Sequence, residues 1–192
     1  MRKLVLIAHV SLDGFVAGEG GSLAPFNPSP ENLDFVCDIT DGADAALMGR
    51  VSYEMLNTFW PTAWEKPNAT ASEIRYSKWY NAAQKIILSR TLPHSNTAQT
   101  SILSENIVEQ VTAIKNQEGK SILLFGSPTS FRLLNNHDLV DQYLILVYPA
   151  LFGKGVPLFV PGEPAKGLTV IETKQFTNGE LAIHYKVNTG AA

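Results

Sequence analysis

The stretch Met48-Gly49-Arg50-Val51-Ser52 joins a short apolar run, Ala45–Met48, to a predicted helix from about Val51 to Thr58. Two further junctions have the same design: Leu88-Ser89-Arg90 and Phe125-Gly126-Ser127-Pro128-Thr129. Each follows a run of aliphatic residues that predicts a buried strand. Parallel sheets bind ligands at the carboxyl ends of their strands, against the N-termini of the helices that follow. The three junctions are therefore the first candidates for a binding site.

Strands and helical segments alternate around these junctions. Strands are predicted at Arg2–Val10, Lys85–Ser89, Ser121–Phe125 and Gln142–Tyr148, and helices from Ser29, from Thr70 to Tyr80, over Glu105–Gln117 and from Pro128 to Leu134. Asn178-Gly179, between the strand patterns Leu168–Phe176 and Glu180–Val187, predicts a hairpin. The fold class is α/β: a mixed, mainly parallel sheet flanked by helices, with a C-terminal antiparallel hairpin. We expect one domain over residues 1–192.

Composition narrows the function classes. The 192 residues are 45% hydrophobic and 17% charged, which excludes disorder for the bulk of the chain. The formal charge of −3 leaves no basic surplus for nucleic acid, so a small molecule is the expected partner. The longest charge-free apolar stretch, Tyr143 to Phe152, is about half of the ~20 residues that a membrane helix needs. With Cys37 as its one cysteine, the protein is expected in a reducing compartment, the cytoplasm.

The junctions offer groups that bind anions. Gly49 allows close approach to the backbone, and helix amides would follow it. Arg50 and Arg90 supply positive charge that suits phosphate, while Ser52 and Ser89 add hydroxyl donors. Together they indicate a ligand with several phosphates, such as a dinucleotide. Glycine and serine also occur at such positions for purely structural reasons in most α/β domains. The alternative that the three junctions are structural and bind no ligand therefore stays open.

Four segments carry a family resemblance. They are Ser11-Leu12-Asp13-Gly14-Phe15-Val16-Ala17, Met48-Gly49-Arg50-Val51-Ser52-Tyr53-Glu54, Ile86-Ile87-Leu88-Ser89-Arg90, and Leu139-Val140-Asp141-Gln142 with Tyr148-Pro149 and Gly153 to Phe159. In this order they resemble the dihydrofolate reductase superfamily, and within it the bacterial branch related to the riboflavin-biosynthesis reductase domain. The resemblance runs from about Leu4 to Phe159 and implies NADPH-dependent hydride transfer in a mixed eight-stranded sheet.

The resemblance also implies which residues contact the cofactor. Arg50 and Ser52 would contact its phosphates, and Ser89 with Arg90 would hold the adenosine 2′-phosphate and favour NADPH over NADH. The full implied set lies at the three junctions and in the first two strands: Ala8, Val16, Ala17, Gly49, Arg50, Ser52, Leu88, Ser89, Arg90, Gly126, Ser127 and Thr129.

The substrate side of the site is predicted from carboxylates and aromatic residues. In dihydrofolate reductase a carboxylate early in the first helix helps to deliver a proton. Glu31 is the nearest match, although it could instead favour the helix N-terminus by its charge. The aromatic side chains that could wall a flat substrate, or else fill the core, are Phe35, Tyr53, Trp60 and Tyr148. His9, His94, His137 and His184 lack the mutual spacing of metal ligands, so no metal is expected.

Three functions follow from these observations. The first is NADPH-dependent reduction of a small heteroaromatic, pterin- or pyrimidine-like substrate. The second is the riboflavin-pathway reduction of a ribosylaminopyrimidine phosphate. The third is nucleotide binding without turnover, which is favoured by two departures from the family pattern: Leu23–Phe26 contains no acid, and Ser127-Pro128 stands where a second glycine is usual. The resemblance and the apolar Tyr143–Phe152 stretch also suggest a homodimer.

Overall fold

A computed structural model of the protein describes residues 1–26, 28–93 and 99–188. Its strands are β1 (Leu4–Ser11), β2 (Phe15–Ala17), β3 (Ala43–Gly49), β4 (Gln84–Leu88), β5 (Thr100–Leu103), β6 (Ser121–Phe125), β7 (Gln142–Tyr148), β8 (Val156–Pro157), β9 (Leu168–Gln175) and β10 (Leu181–Val187). Its α-helices are α1 (Pro30–Asp41), α2 (Arg50–Asn57), α3 (Ala71–Ala82), α4 (Ile107–Lys115) and α5 (Pro128–Asn136), and short 3-10 segments cover Glu19–Gly21 and Trp60–Glu65.

Eight of the strands form one sheet in the order β5-β4-β3-β6-β1-β7-β10-β9, and β2 pairs with β8 apart from it. The strands from β5 to β7 run parallel. β10 is antiparallel to both β7 and β9, and the turn between β9 and β10 contains Asn178-Gly179, with Gly179 at φ 88°. The predicted fold class is confirmed, including its C-terminal hairpin.

Two hydrophobic cores cover the two faces of the sheet. Successive side chains of a strand point to opposite faces, and β1 shows this clearly. Leu4 and Leu6 belong to the core shared with α4 and α5, whereas Val5 and Ile7 belong to the core shared with α1 and α3. His9 has the same parity as Val5 and Ile7, so it lies on the α1 side of the sheet near the carboxyl end of β1.

Several element boundaries differ from the sequence prediction. The strand β5 was not identified, because Thr100–Leu103 carries only two aliphatic residues. Trp60–Glu65 is a 3-10 segment where irregular chain was expected. The helix α4 begins at Ile107 rather than Glu105, since Asn106 adopts the left-handed region at φ 45°. Two predicted starts match their caps: Ser29 accepts from Asn32 N, and Thr70 forms a capping box with Glu73.

The apolar 143–152 stretch supplies β7, which is paired on one side with β1 and on the other with β10. Its hydrophobicity is therefore explained by burial within the sheet. Within the described residues, no helix is both long and apolar enough to cross a membrane. Cys37 is buried in the α1 core, and burial raises the pKa of its thiol to about 11, which leaves it unreactive.

A buried ion pair ties α4 to the sheet. Lys115 is 1% exposed, and its ammonium lies 2.7 Å from Asp141 Oδ2 and also donates to the Leu139 carbonyl. The same Asp141 oxygen accepts a hydrogen bond from the Leu4 amide at 2.7 Å. One carboxylate therefore holds the start of β1 and the end of α4 together.

Candidate functional site

The three strand-to-helix junctions lie side by side at one edge of the sheet. Gly49 and Leu88 are register partners at the carboxyl ends of β3 and β4. The Gly126 amide donates to the Ile7 carbonyl at 3.0 Å, which fixes the end of β6 beside β1. The Gly49 amide donates to the Ser127 hydroxyl at 2.8 Å and so links the junctions after β3 and β6.

The N-termini of α2 and α5 meet at this link. The hydroxyls of Ser52 and Ser127 are 2.7 Å apart. A Cβ on Gly49 would lie only 3.0 Å from the Ser130 hydroxyl, so glycine allows the two helix starts to approach. Gly126 and Ser127 are both left-handed, at φ 47° and 49°. Two helix N-termini with neighbouring hydroxyls favour negative charge, and this fits a pyrophosphate.

The predicted cofactor residues divide into two groups. Ala8, Val16, Ser52 and Gly126 line a large cavity. The others lie outside its lining. Gly49 and Ser127 form the link described above, and Leu88 is buried beside Gly49. Arg50 is exposed and paired with Glu54 at 2.7 Å, Thr129 is exposed at the start of α5, and Ala17 packs against Gly155.

Ser89 and Arg90 lie further along the same edge. The Ser89 hydroxyl accepts hydrogen bonds from the amides of Thr91 and Leu92, at 3.1 and 3.0 Å, and so shapes the turn after β4. Arg90 is exposed and borders a separate open depression. The described residues around that depression are Arg90, Ser104, Glu105 and Asn106. The pair directly follows Leu88, the register partner of Gly49, so the junctions after β3 and β4 are neighbours.

The cavity has a volume of about 930 Å³ and lies between the carboxyl edge of the sheet, α1, α2 and the Trp60–Glu65 segment. Its walls are mostly apolar. Trp60 and Tyr148 both line it, as the sequence predicted for an aromatic wall, and Phe26 packs edge-on against Tyr148 with ring centroids 4.7 Å apart. Phe35 and Tyr53 are not part of the lining, and Phe35 packs in the α1 core against Phe176 at 5.8 Å.

Glu31 does not face this cavity. Its carboxylate accepts hydrogen bonds from both the amide and the hydroxyl of Thr177 in the hairpin turn, each at 3.0 Å. The side chain thus fastens the start of α1 to the hairpin. Asp34, one turn further along α1, does line the cavity at its exposed edge and accepts from the Ser72 hydroxyl.

A buried carboxylate behind the cavity wall was not predicted from the sequence. Glu180 is 0% exposed. It accepts from the Ser29 amide at 2.9 Å, from the Asn32 side-chain amide at 2.5 Å and from the Asn178 side-chain amide. Ser29 and Asn32 in turn line the cavity. No local pattern separates Glu180 from an ordinary surface acid after a turn, because its burial depends on the packing of α1.

His9 and Tyr148 lie beside Glu180. Their ring centroids are 5.8 Å apart, and both side chains line the cavity. Burial lowers the pKa of His9 to about 4, against an opposing effect of the Glu180 charge, so the imidazole is neutral at pH 7. Burial and then repulsion from Glu180 raise the pKa of Tyr148. The Tyr148 hydroxyl is buried and makes no hydrogen bond of normal geometry within the described residues.

The lining contains no lysine or arginine among the residues that the structure describes; its charged members are Asp34 and Glu73. The Lys66 ammonium lies just outside the lining, 3.5 Å from the centroid of the lining residue Phe59. Over the same described ranges, no group of three or more His, Cys, Asp or Glu side chains is placed to hold a metal ion. His94 lies outside the described residues.

The fold defines an α/β protein with a cavity and a candidate ligand site at the carboxyl edge of a mainly parallel sheet. The chain belongs to the RibD C-terminal domain family, whose model matches residues 2–182. It is 29% identical over 189 residues to the uncharacterized protein YyaP of Bacillus subtilis, covering 97% of this chain and 96% of that protein. It is 25% identical to the uncharacterized protein YwjB of the same organism, covering 96% and 97%.

Solved structures show the same fold at lower identity. A protein from Shewanella sp. PV-4 described as a riboflavin biosynthesis protein has a TM-score of 0.72 at 22% identity, with 98% of this chain and 99% of that chain covered. A deaminase/5-amino-6-(5-phosphoribosylamino)uracil reductase from Thermotoga maritima has a TM-score of 0.67 at 14% identity, covering 97% of this chain and 57% of that chain. The protein therefore has the dihydrofolate-reductase-like fold of these structures.

Proposed function

We propose that the protein is a reductase that uses NADPH to transfer a hydride to a small heteroaromatic, pterin- or pyrimidine-like substrate. The observation that carries the proposal is the contact of two helix N-termini, through Ser52 and Ser127, beside a cavity of about 930 Å³ with aromatic walls. A dinucleotide needs the first feature for its pyrophosphate, and a flat ring needs the second.

The strand order supports one direction for the proposed cofactor. Arg90 follows β4, Gly49 ends β3, Gly126 follows β6 and Ala8 lies in β1, and these four strands are consecutive in the sheet. The 2′-phosphate would meet Ser89 and Arg90, and the pyrophosphate would meet the α2 and α5 N-termini with Arg50. The nicotinamide end would reach Ala8 and Val16, next to the aromatic walls. NADPH, when bound there, supplies the hydride.

The protein's own part in the reaction is positioning and proton supply. Trp60 and Tyr148 stack on the substrate ring and exclude water. Reduction of a C=N bond adds a hydride to carbon and a proton to nitrogen. We propose Asp34 as the carboxylate that relays this proton, since it is the acid of α1 that lines the cavity, while Glu31 is held by Thr177.

Two alternatives keep specific support. The family model and the Thermotoga maritima reductase favour reduction of a ribosylaminopyrimidine phosphate. The bond between the Ser127 hydroxyl and the Gly49 amide occupies a donor that a phosphate would use, which opposes productive cofactor binding and supports the alternative of a protein that retains the fold without turnover. The homodimer stays a prediction, and any interface would use a surface other than β7, which is paired on both sides.

Titration with NADPH and NADH tests the proposal. We expect quenching of the tryptophan fluorescence, stronger for NADPH, because Trp60 lines the cavity. Loss of NADPH absorbance with a panel of oxidised pterins and pyrimidines then identifies turnover, and Asp34→Asn should slow it about 10- to 100-fold. No response to either nucleotide would contradict both reductase functions. Binding of NADPH without turnover of any ring compound would favour the non-catalytic alternative.

A further inference from the structure

The inner end of the cavity, where α1 meets the C-terminal hairpin, has a buried negative charge behind its wall. Oε1 of Glu180 accepts from the Ser29 amide at 2.9 Å and from the Asn178 side-chain amide, and Oε2 accepts from the Asn32 side-chain amide at 2.5 Å. Within residues 1–26, 28–93 and 99–188, no lysine or arginine forms an ion pair with Glu180. Neutral hydrogen-bonding groups, rather than a cation, therefore stabilise this carboxylate in the described part of the chain.

This arrangement fixes the orientation of the Asn32 amide. A carboxylate oxygen only accepts hydrogen bonds, so the nitrogen of the amide must face Glu180. Asn32 is 3% exposed, and its backbone is held by the cap at Ser29, so the side chain stays in place and only rotation of its terminal amide can exchange the oxygen and the nitrogen. Asn32 also lines the cavity, and because its nitrogen is engaged by Glu180, its side-chain oxygen is the atom that it can offer to a ligand.

We infer that Asn32 is a specificity-determining residue, and that this end of the cavity accepts an unphosphorylated heteroaromatic ring through a ring N–H or amino group. The amide oxygen of Asn32 requires a donor from the ligand. The Glu180 charge and the lack of lysine and arginine in the described lining disfavour an anion. The inference rests on the proposed function, because only that function makes the bound ring the substrate of a reaction. It excludes a ribosylaminopyrimidine phosphate as this substrate.

The neutral imidazole of His9 completes this end. It lies on the same face of the sheet and offers one donor and one acceptor. A ring lactam, with an N–H beside a carbonyl, matches the oxygen of Asn32 together with the imidazole. A ring whose nitrogens are all alkylated presents no donor to Asn32 and leaves its buried oxygen unpaired, which is costly.

The substitution Glu180→Gln should reverse the orientation of the Asn32 amide. Oε1 already accepts from Ser29 and Asn178, so the oxygen of the new amide must stay there. Its nitrogen then faces Asn32 in place of Oε2. Two facing N–H₂ groups cannot bond, so the Asn32 amide turns over and presents its nitrogen to the cavity. The variant therefore exchanges an acceptor for a donor at one point, with little change in shape.

Calorimetric titration of the wild type with two matched ligand pairs tests the inference. Uracil carries two ring N–H groups that 1,3-dimethyluracil lacks, and uridine 5′-monophosphate adds a phosphate to uridine. We expect the wild type to bind uracil at least about tenfold more tightly than 1,3-dimethyluracil, as one hydrogen bond to a buried group predicts. We expect uridine to bind at least about tenfold more tightly than its monophosphate.

Glu180→Gln should lower the uracil to dimethyluracil affinity ratio about tenfold, and it should narrow the difference between uridine and its monophosphate. Glu172→Gln, an equal change at an exposed position of β9, is the matched control and should leave both ratios unchanged. A merely structural role of Glu180 would weaken all four ligands equally, and that result overturns the inference. If Glu180→Gln does not fold, the affinity ratios of the wild type decide alone. Equal affinity for uracil and 1,3-dimethyluracil, or tighter binding of uridine 5′-monophosphate than of uridine, would overturn the inference.

The same samples separate this inference from the proposed function. NADPH is titrated into the wild type in parallel. If the wild type shows the expected affinity ratios but does not bind NADPH, the proposed function is contradicted and the inference about Asn32 is not. NADPH binding with ratios near one contradicts the assignment of Asn32 alone.

Discussion

The Ser127 hydroxyl oxygen lies 2.8 Å from the Gly49 amide nitrogen, so it accepts the hydrogen bond that this amide could otherwise give to an anion. The same oxygen is 2.7 Å from the Ser52 hydroxyl. One side chain thus engages both the Gly49 amide and the Ser52 hydroxyl at the junction where we propose that the pyrophosphate binds. Phosphate binding there requires Ser127 to release them.

Ser127→Gly should therefore tighten NADPH binding. It frees the Gly49 amide and the Ser52 hydroxyl for the phosphate, and glycine suits the left-handed backbone at φ 49°. A gain of about 1 kcal/mol, the net value of one hydrogen bond, corresponds to an approximately fivefold lower Kd in a fluorescence titration. Asp138→Gly, at φ 55°, is the control for backbone relief and should leave the Kd unchanged. An unchanged or higher Kd for Ser127→Gly would remove the pyrophosphate from this junction.

Arg90→Ala should abolish the preference for NADPH over NADH. The guanidinium is the cation of the junction after β4 and borders the depression that also contains Ser104. Loss of one charge-assisted contact to the 2′-phosphate should raise the Kd for NADPH about 10-fold or more and leave the Kd for NADH nearly unchanged. Lys78→Ala, an exposed charge on α3, controls for the change in net charge. Discrimination that survives in Arg90→Ala would mean that the phosphate binds elsewhere.

The stability of the protein should fall in mild acid because of His9. Its pKa is about 4 in the folded state and 6.5 in the unfolded chain, so the unfolded state binds more protons between these values. The contribution is complete above pH 6.5 and is lost as the pH falls toward 4, at most about 3 kcal/mol. Urea unfolding from pH 7 to 4.5 measures it, and His9→Phe should flatten the slope. His184→Phe should flatten it less, and an equal slope in His9→Phe and the wild type would contradict the assignment.

Lys115→Met should destabilise the protein by about 3–5 kcal/mol, since it leaves Asp141 without its buried cation. The matched control is Lys154→Met, which breaks an ion pair with Glu19 whose two side chains are both 72% exposed. That change should cost less than about 1 kcal/mol. Chemical unfolding compares the two, and equal losses would show that burial of the Lys115 pair has no special weight.

The proximity of the three junctions could be predicted from the sequence because it follows from sheet geometry. Parallel strands that end in Gly49, Leu88 and Phe125 must have their carboxyl ends on one edge, whatever their exact order. The strand order itself, which places Arg90 and Ala8 at opposite ends of the row, depends on pairings between distant parts of the chain. No local pattern encodes them.

The direction of individual side chains was harder to predict. Glu31 and Asp34 are both acids of α1, and only contact with the hairpin decides that Glu31 turns to Thr177 while Asp34 lines the cavity. Glu180 follows the same rule. Its position after Asn178-Gly179 is typical of an exposed turn, and its burial results from the docking of Ser29 and Asn32 on that turn. Tertiary packing, rather than helix or strand pattern, selects among equivalent carboxylates.

The separation between the strands that would bind the coenzyme and the elements that would bind the substrate ring has an evolutionary consequence. The elements that would hold the coenzyme follow β3, β4 and β6, whereas Asn32 and Glu180 come from α1 and the terminal hairpin beyond β7. Replacing a few residues of that hairpin can therefore retune which ring is accepted without disturbing the redox half of the molecule. A fold with this separation can evolve to accept new substrates through changes in its C-terminal hairpin alone.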